Sequence, residues 1–555
     1  MRTAIHWSDL LFGRGDDNFP AWLLTVRINV VVFVVCGLSV VAWSLAHAPL
    51  RRAIAARAEV ALVLSLTALA AWLRFSVATT NLMDFGGIAY SRLLLGYKGY
   101  FATAQVFSPL YQLTSRDIEH AILFDRFAGI LTIPLVYILC RHLQVRTALL
   151  APVAAFLFAV YPLHVLFSAS DALAIFSGCL AAAAYLLLAA AERPLGGASE
   201  PRAAQLTILS YLGGFSGLAL LTQVRYENGL LLVPPALVLL GRRHSLLWRR
   251  LLPGLLVGTL FLAIYAHAML TSGSAYAAAA DFSRNLDLVI WHLVLNPLMA
   301  VPFLLLGTLA IPLFDGWRVG VIALLPWFGA LTLAVLASSD AHGVARIYAN
   351  WLILILPFAG YGFALLLAAQ RRVANAIAVG GLLLLGAQPF LMGDCLGARY
   401  LDILENDRFK ALVTTLPPNA TSIIVPDNEL MWRQSHTTLE VDGKYAMILA
   451  GTGEAARRRT LVRLTEFLEH PERTSCADGA CVFFSGLPCT DLDMYLFTRG
   501  QCADLLRTHR ASILDEATVT AAPFAHCSIY TGEQRRQQCM PTTRPQRFVL
   551  YRIEQ

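Results

Sequence analysis

Twelve stretches of this chain are apolar for long enough to cross a bilayer, and that decides the class of fold before any motif is considered. A hydrocarbon layer about 30 Å thick is crossed by about 20 residues of helix. The expected spans are 22–47, 57–77, 119–140, 147–168, 171–191, 205–223, 228–241, 251–271, 287–313, 319–337, 348–369 and 373–392. Composition agrees. Of the 555 residues, 57% are hydrophobic and 14% charged, whereas a soluble protein is about 25% charged. Trp7, Asp9, Asp16 and Asp17 precede the first apolar run, and no small-residue cleavage site follows it. That run therefore reads as a retained helix, not a removed signal.

The loops give the orientation. Arg51, Arg52 and Arg57 follow the first span, Arg141, His142 and Arg146 the third, and Arg193 and Arg202 the fifth. Arg242, Arg243, Arg249 and Arg250 follow the seventh, Arg318 the ninth, and Arg371 with Arg372 the eleventh. All six clusters fall in odd-numbered gaps, which the positive-inside rule assigns to the cytoplasm. The even gaps, an N-terminal segment 1–21 and everything after residue 392 are then extracytoplasmic. The net charge of +7 sits in these loops, so no nucleic-acid partner is expected. Arginine-, alanine- and leucine-rich composition with little lysine hints at a GC-rich bacterium and hence at its inner membrane.

Three external stretches stand out: the long first loop 78–118, the loop 272–286 with Asp281 and Arg284, and the polar stretch 338–347. From residue 393 proline, charge and cysteine rise. Strand-like runs at 422–425, 482–484, 527–530 and 548–553 alternate there with helix-like runs at 402–415, 457–469 and 492–508. The fold expected is thus a mainly α, polytopic helical bundle over 22–392, with a small C-terminal α/β domain over 393–555. Seven of the ten cysteines lie in that domain, where an extracytoplasmic setting favours disulfides over metal. Cys476 with Cys481, Cys489 with Cys502 and Cys527 with Cys539 are candidate bridges, although spacing leaves the pairing open.

The chemistry-bearing residues gather in external turns. Asp84 follows the second span and precedes Gly86-Gly87, where the backbone can turn sharply. The run 88–96, closed by Gly96, reads as an interfacial amphipathic helix. A carboxylate at that boundary could act as base toward a hydroxyl, or simply cap a helix or stand in solvent. Further on come Ser168-Ala-Ser-Asp171, then Thr222-Gln-Val-Arg225-Tyr-Glu227-Asn-Gly229, and then His342, Arg346, Tyr348 and Leu356-Pro357.

In this order, and with Tyr90, Leu94-Leu95-Gly96, Pro109-Leu110-Tyr111, Asp117, Arg126, Tyr137 and Arg141, the motifs resemble the GT-C superfamily of membrane glycosyltransferases. The likeness is nearest to its branch of protein O-mannosyltransferases and the lipid A aminoarabinose transferase, and covers roughly residues 57–369. The resemblance implies transfer of a sugar from a polyprenyl-phosphate carrier to an extracytoplasmic protein, lipid or glycan. It implies Asp84 as catalytic base and Asp171 as a second acid that supports the acceptor or a metal. Arg225, Arg346 and His342 would hold the donor phosphate, a role that suits the planar guanidinium fork. Arg126, Glu227, Tyr90 and Tyr348 would support them. Many relatives carry Asp-Glu in the first loop where this chain has Asp84-Phe85, which puts a divalent Mg or Mn ion in question.

Plainer roles stand beside these. Asp125 and Arg126 could pair with each other, and Glu227 could neutralise Arg225. His164 and His267 read as packed histidines, and Asp281, Arg284 and Asp287 as a solvated loop. Trp72, Trp291 and Trp351 read as interface anchors. Two rival functions remain. A lipid or glycan transporter would place polar groups near the bilayer midplane, but the span centres here are nearly free of charge. A catalytically inactive scaffold of the same fold would be compatible with Phe85.

Overall fold

The computed structural model describes residues 19–46, 56–77, 118–143, 146–170, 173–192, 200–224, 226–233, 251–263, 286, 289–295, 299–337, 341–391, 401–416, 422–426, 445, 449, 456, 459–474, 476, 480–486, 489, 496–519 and 546–554. Helices α1 (Phe19–Ala46), α2 (Ala56–Ser76), α3 (Ile118–His142), α4 (Leu150–Val160), α5 (Pro162–Ser168), α6 (Leu173–Glu192) and α7 (Glu200–Val224) are followed by a 3-10 segment Tyr226–Leu232. Then come α8 (Leu251–Ala263), α9 (Val301–Asp315), α10 (Trp317–Ala337), α11 (Ala341–Ala368) and α12 (Arg372–Leu391). Among the described residues eight helices are long and apolar enough to cross a membrane, and α4 with α5, bent by 56°, make a ninth if taken as one span.

Among the described residues two of the twelve expected spans are broken, and the span 228–241 opens within the 3-10 segment Tyr226–Leu232. The span 147–168 bends at Tyr161, because Pro162 has no N–H to give to the carbonyl of Phe158. The span 287–313 is interrupted: a π-helical turn at Ile290–Val294 precedes α9, which starts only after Ala300 in a left-handed conformation (φ 47°). Such breaks are tolerated at membrane depth where protein surrounds them. Tyr161, Met299 and Ala300 are all buried. The stretch 338–347, expected as a loop, is helical from Ala341, so His342 and Arg346 ride on the first turns of α11.

The core of the bundle is α4, α5 and α11, most of whose residues are buried, while α1, α2, α10 and α12 present Leu38, Leu64, Phe328 and Leu383 outward. Glycine lets backbones meet inside it. A Cβ on Gly362 of α11 would lie 1.7 Å from the carbonyl oxygen of Gly307 on α9. Close approach of this kind drives association in lipid, where apolar burial gives no advantage. Trp351 is packed over Gly329 of α10 and buried, so it is a core residue and not an interface anchor. Trp72 does face outward, stacked on Phe390 at 5.7 Å between ring centroids.

The C-terminal domain is a five-stranded sheet with helices on both faces. Strands β1 (Ser422–Val425), β2 (Thr460–Arg463), β3 (Ala480–Ser485), β4 (Arg510–Val519) and β5 (Gln546–Glu554) take the order β2-β1-β3-β5-β4. The first three run parallel, and β5 runs antiparallel to both β3 and β4. Alternation along the strands sends Ile424, Phe483 and Ile553 to one face, against α14 (Leu464–Glu469) and α15 (Leu496–Thr508). The other face meets α13 (Leu401–Thr415), where Phe409 packs at 5.0 Å on both Phe484 and Tyr445. The helix-like run 457–469 divides into β2 and α14. Strand β4 was not foreseen. The disulfides Cys476–Cys481 and Cys489–Cys502 are present, and Cys527 and Cys539 lie outside the described residues.

Candidate functional site at one end of the bundle

Helices α2 and α3 are antiparallel, and polar contacts mark both their ends. At the end where α2 begins, Arg141 of α3 pairs with Glu59. Nearby on the chain Arg146 pairs with Asp315 at 3.3 Å, and Tyr361 donates to Asp315. Arg141, Glu59 and Arg146 are exposed, whereas Asp315 is mostly covered and Tyr361 is buried. At the end where α2 finishes, Arg126 of α3 donates to the carbonyl of Val77 (3.0 Å) and its guanidinium lies 5.3 Å from the ring centre of Phe75. Arg126 and its neighbour Asp125 are both buried.

Arg74, two residues before the end of α2, is the centre of this second end. Its side chain is fully buried, and all five of its N–H groups find acceptors. Nε donates to Ser168 Oγ (3.2 Å), and Nη1 to the carbonyls of Ala70 (3.0 Å) and Ala159 (3.2 Å). Nη2 donates to the carbonyl of Phe158 (2.9 Å) and to His164 Nδ1 (2.6 Å). The proton that Pro162 cannot give to Phe158 is therefore supplied from α2. Accepting at Nδ1 leaves the neutral His164 ring with its proton on Nε2. Ser168 Oγ in turn donates to the carbonyl of His164 (2.6 Å). His164 is packed, as its sequence setting suggested, and is also part of this clasp. Arg74 escaped notice in the sequence, although an arginine inside an apolar span is a signal in its own right.

The two helix breaks meet on α11. Tyr161, at the bend, donates to the carbonyl of Met299, beside the other break, and its oxygen lies 3.2 Å from the hydroxyl of Tyr348. With the Tyr161 proton used on Met299, Tyr348 is the donor of that second bond. Tyr348 also lies against Trp327, whose Nε1 donates to Thr308 (3.1 Å). A third anchor holds the turn after α7: Asn228 Nδ2 donates to Ser177 Oγ of α6 and to the carbonyl of Leu221, both at 3.0 Å.

These contacts locate the flanks of the sequence motifs. Val77, on the near side of the first long loop, Ser168 and Ser170 before Asp171, and Asn228 after Arg225 all lie at the Arg74 end, together with Tyr348 and half-buried Arg346. Tyr348 is fully buried in the tyrosine contact, so its hydroxyl acts between helices. Asp84, Tyr90, Asp171 and Arg225 lie outside the described residues, as do the side chains of Glu227 and His342. Asp281, Arg284, Asp287, His267 and the side chain of Trp291 lie outside them too. Among the described residues no group of three His, Cys, Asp or Glu side chains could hold a metal ion. Asp84 and Asp171, the acids that the sequence resemblance offers, are not among them.

No protein-family model and no curated protein sequence matches the chain. Among solved structures it is similar to ArnT from Cupriavidus metallidurans bound to undecaprenyl phosphate, at 12% identity and a TM-score of 0.49, with 90% of this chain and 98% of that chain covered. The same protein in the apo state gives 14% identity and a TM-score of 0.46 over the same shares, 90% and 98%. The oligosaccharyltransferase AglB from Archaeoglobus fulgidus, in complex with an inhibitory peptide and a dolichol-phosphate, is similar at 12% identity and a TM-score of 0.36, over 72% of this chain and 64% of that one.

Proposed function

We propose that this protein is a membrane glycosyltransferase that moves a sugar from a polyprenyl-phosphate donor to an extracytoplasmic acceptor. The observation that carries the reading is the gathering of the motif flanks at one end of the bundle. Four motifs far apart in sequence, beginning near residues 77, 168, 222 and 342, adjoin described residues of that end. A donor of this kind fits such a place, because its polyprenyl tail stays in the bilayer while its phosphate and sugar stand at the boundary. The arginine loops assign that end to the outside.

In this reading Asp84 takes the proton of the acceptor hydroxyl as its oxygen attacks the anomeric carbon. Arg225 and Arg346, with His342, stabilise the departing lipid phosphate. Asp171 orients the acceptor or helps to hold a divalent cation such as Mg or Mn. The C-terminal domain covers the site or binds the acceptor. Buried charge argues against a transport path: among the described residues of α1–α12 it comprises Arg74, Asp125 and Arg126, all at the same end and none near the middle of a span.

The test is turnover by the purified full chain with a panel of polyprenyl-phosphate sugars. Asp84→Asn should lower transfer by about 100-fold or more. Equal turnover by wild type and variant would remove the assigned base.

A further inference from the structure

We infer that Arg74 is a positioning residue for the acid-bearing turn after α5, and this rests on the reading above of Asp171 as part of the site. Three observations meet on it. First, Arg74 replaces the donors missing at the bend by bonding Phe158 and Ala159, so the angle between α4 and α5 is held from α2. Second, it reaches both ends of α5, at His164 in the first turn and at Ser168, the last residue of that helix. Ser170, bonded back to the carbonyl of Phe167 at 2.7 Å, is then the last described residue before Asp171. Third, Gly129 of α3 leaves room for the clasp: a Cβ there would lie 2.3 Å from Ser168 Oγ and 2.9 Å from Arg74 Nε.

A buried cation is an expensive way to close a helix bend, since membrane insertion disfavours arginine at depth. What it supplies is direction. Five donors in one rigid plane fix α5 relative to both α2 and α4, and lysine, with three donors on a flexible stem, cannot repeat the pattern. Such rigidity matters for a reacting group, because misplacement by about 1 Å can cost about 100-fold in rate.

The experiment uses the full chain in detergent or vesicles and has two arms. In the first, Asp171→Cys is labelled with a water-soluble maleimide, with the unsubstituted protein as background and no sugar donor present. Adding Arg74→Lys should change the labelling rate several-fold; an unchanged rate overturns the inference. In the second, Arg74→Lys should lower turnover by about 100-fold in the Asp171 protein and add nothing in the Asp171→Asn background. Equal fractional losses in both backgrounds mean a merely structural role and overturn it. Should Arg74→Lys fail to fold, Ser168→Ala takes its place in both arms, with the same outcomes decisive. If wild type uses no lipid-linked sugar at all, the functional reading fails on its own account, and the labelling arm still decides whether Arg74 sets the turn.

Discussion

The two ends of the helical bundle handle charge in opposite ways. At the end where α2 begins, cations reach carboxylates from solvent: Arg141 with Glu59, both around 40–46% exposed, and exposed Arg146 with the mostly covered Asp315. At the other end a fully buried arginine donates to carbonyls, a hydroxyl and an imidazole. Exposed pairs are screened and contribute little. A buried cation whose every donor is occupied is costly to disturb, because what is left behind cannot reach water. The first arrangement suits an end whose loops need only stay on their side. The second suits an end at which broken helices must hold a fixed angle.

This contrast can be broken by measurement. Arg74→Met should destabilise the protein most, by about 3–5 kcal/mol, since it orphans acceptors at the bend. Thermal unfolding in detergent close to that of wild type would mean that the clasp carries no load. Tyr161→Phe should come next, at about 1–3 kcal/mol, because the carbonyl of Met299 and the hydroxyl of Tyr348 both lose a buried partner. Tyr348→Phe in the same background should then add little, and a full additive loss would show that the two hydroxyls act separately. The smallest effect belongs to the other end. Arg141→Ala should cost less than about 1 kcal/mol, and the difference should fade in high salt. A large, salt-insensitive loss there would erase the distinction between the ends.

The spans were legible because hydropathy integrates over a whole crossing. Seven expected spans, those of α1, α2, α3, α6, α7, α10 and α12, agree with the helices to within five residues at each end. The two breaks were not legible as breaks. Apolar residues flank Tyr161 and Ala300 as they do any mid-span position, and hydropathy carries no backbone angle. Strand β4 was hidden for a different reason. It lies at the sheet edge with most of its residues exposed, so it lacks the continuous apolar run that marks β1, β3 and β5. Of the candidate site, the flanks at Val77, Ser168 and Asn228 are what the structure adds, and the order of the motifs was readable. Arg74 was not, because its role depends on carbonyls that open only when the chain bends at residue 162. Hydropathy also took Trp351 for an interface residue, whereas Gly329 provides the notch that receives it.

The contact between Gly307 and Gly362 has a consequence for how the bundle can open. With the carbonyl of one residue against the bare α-carbon of the other, α9 and α11 are laminated into a single plank that cannot shear without collision. Any seam that parts between helices must therefore run along other boundaries of the bundle, with this pair moving as one board.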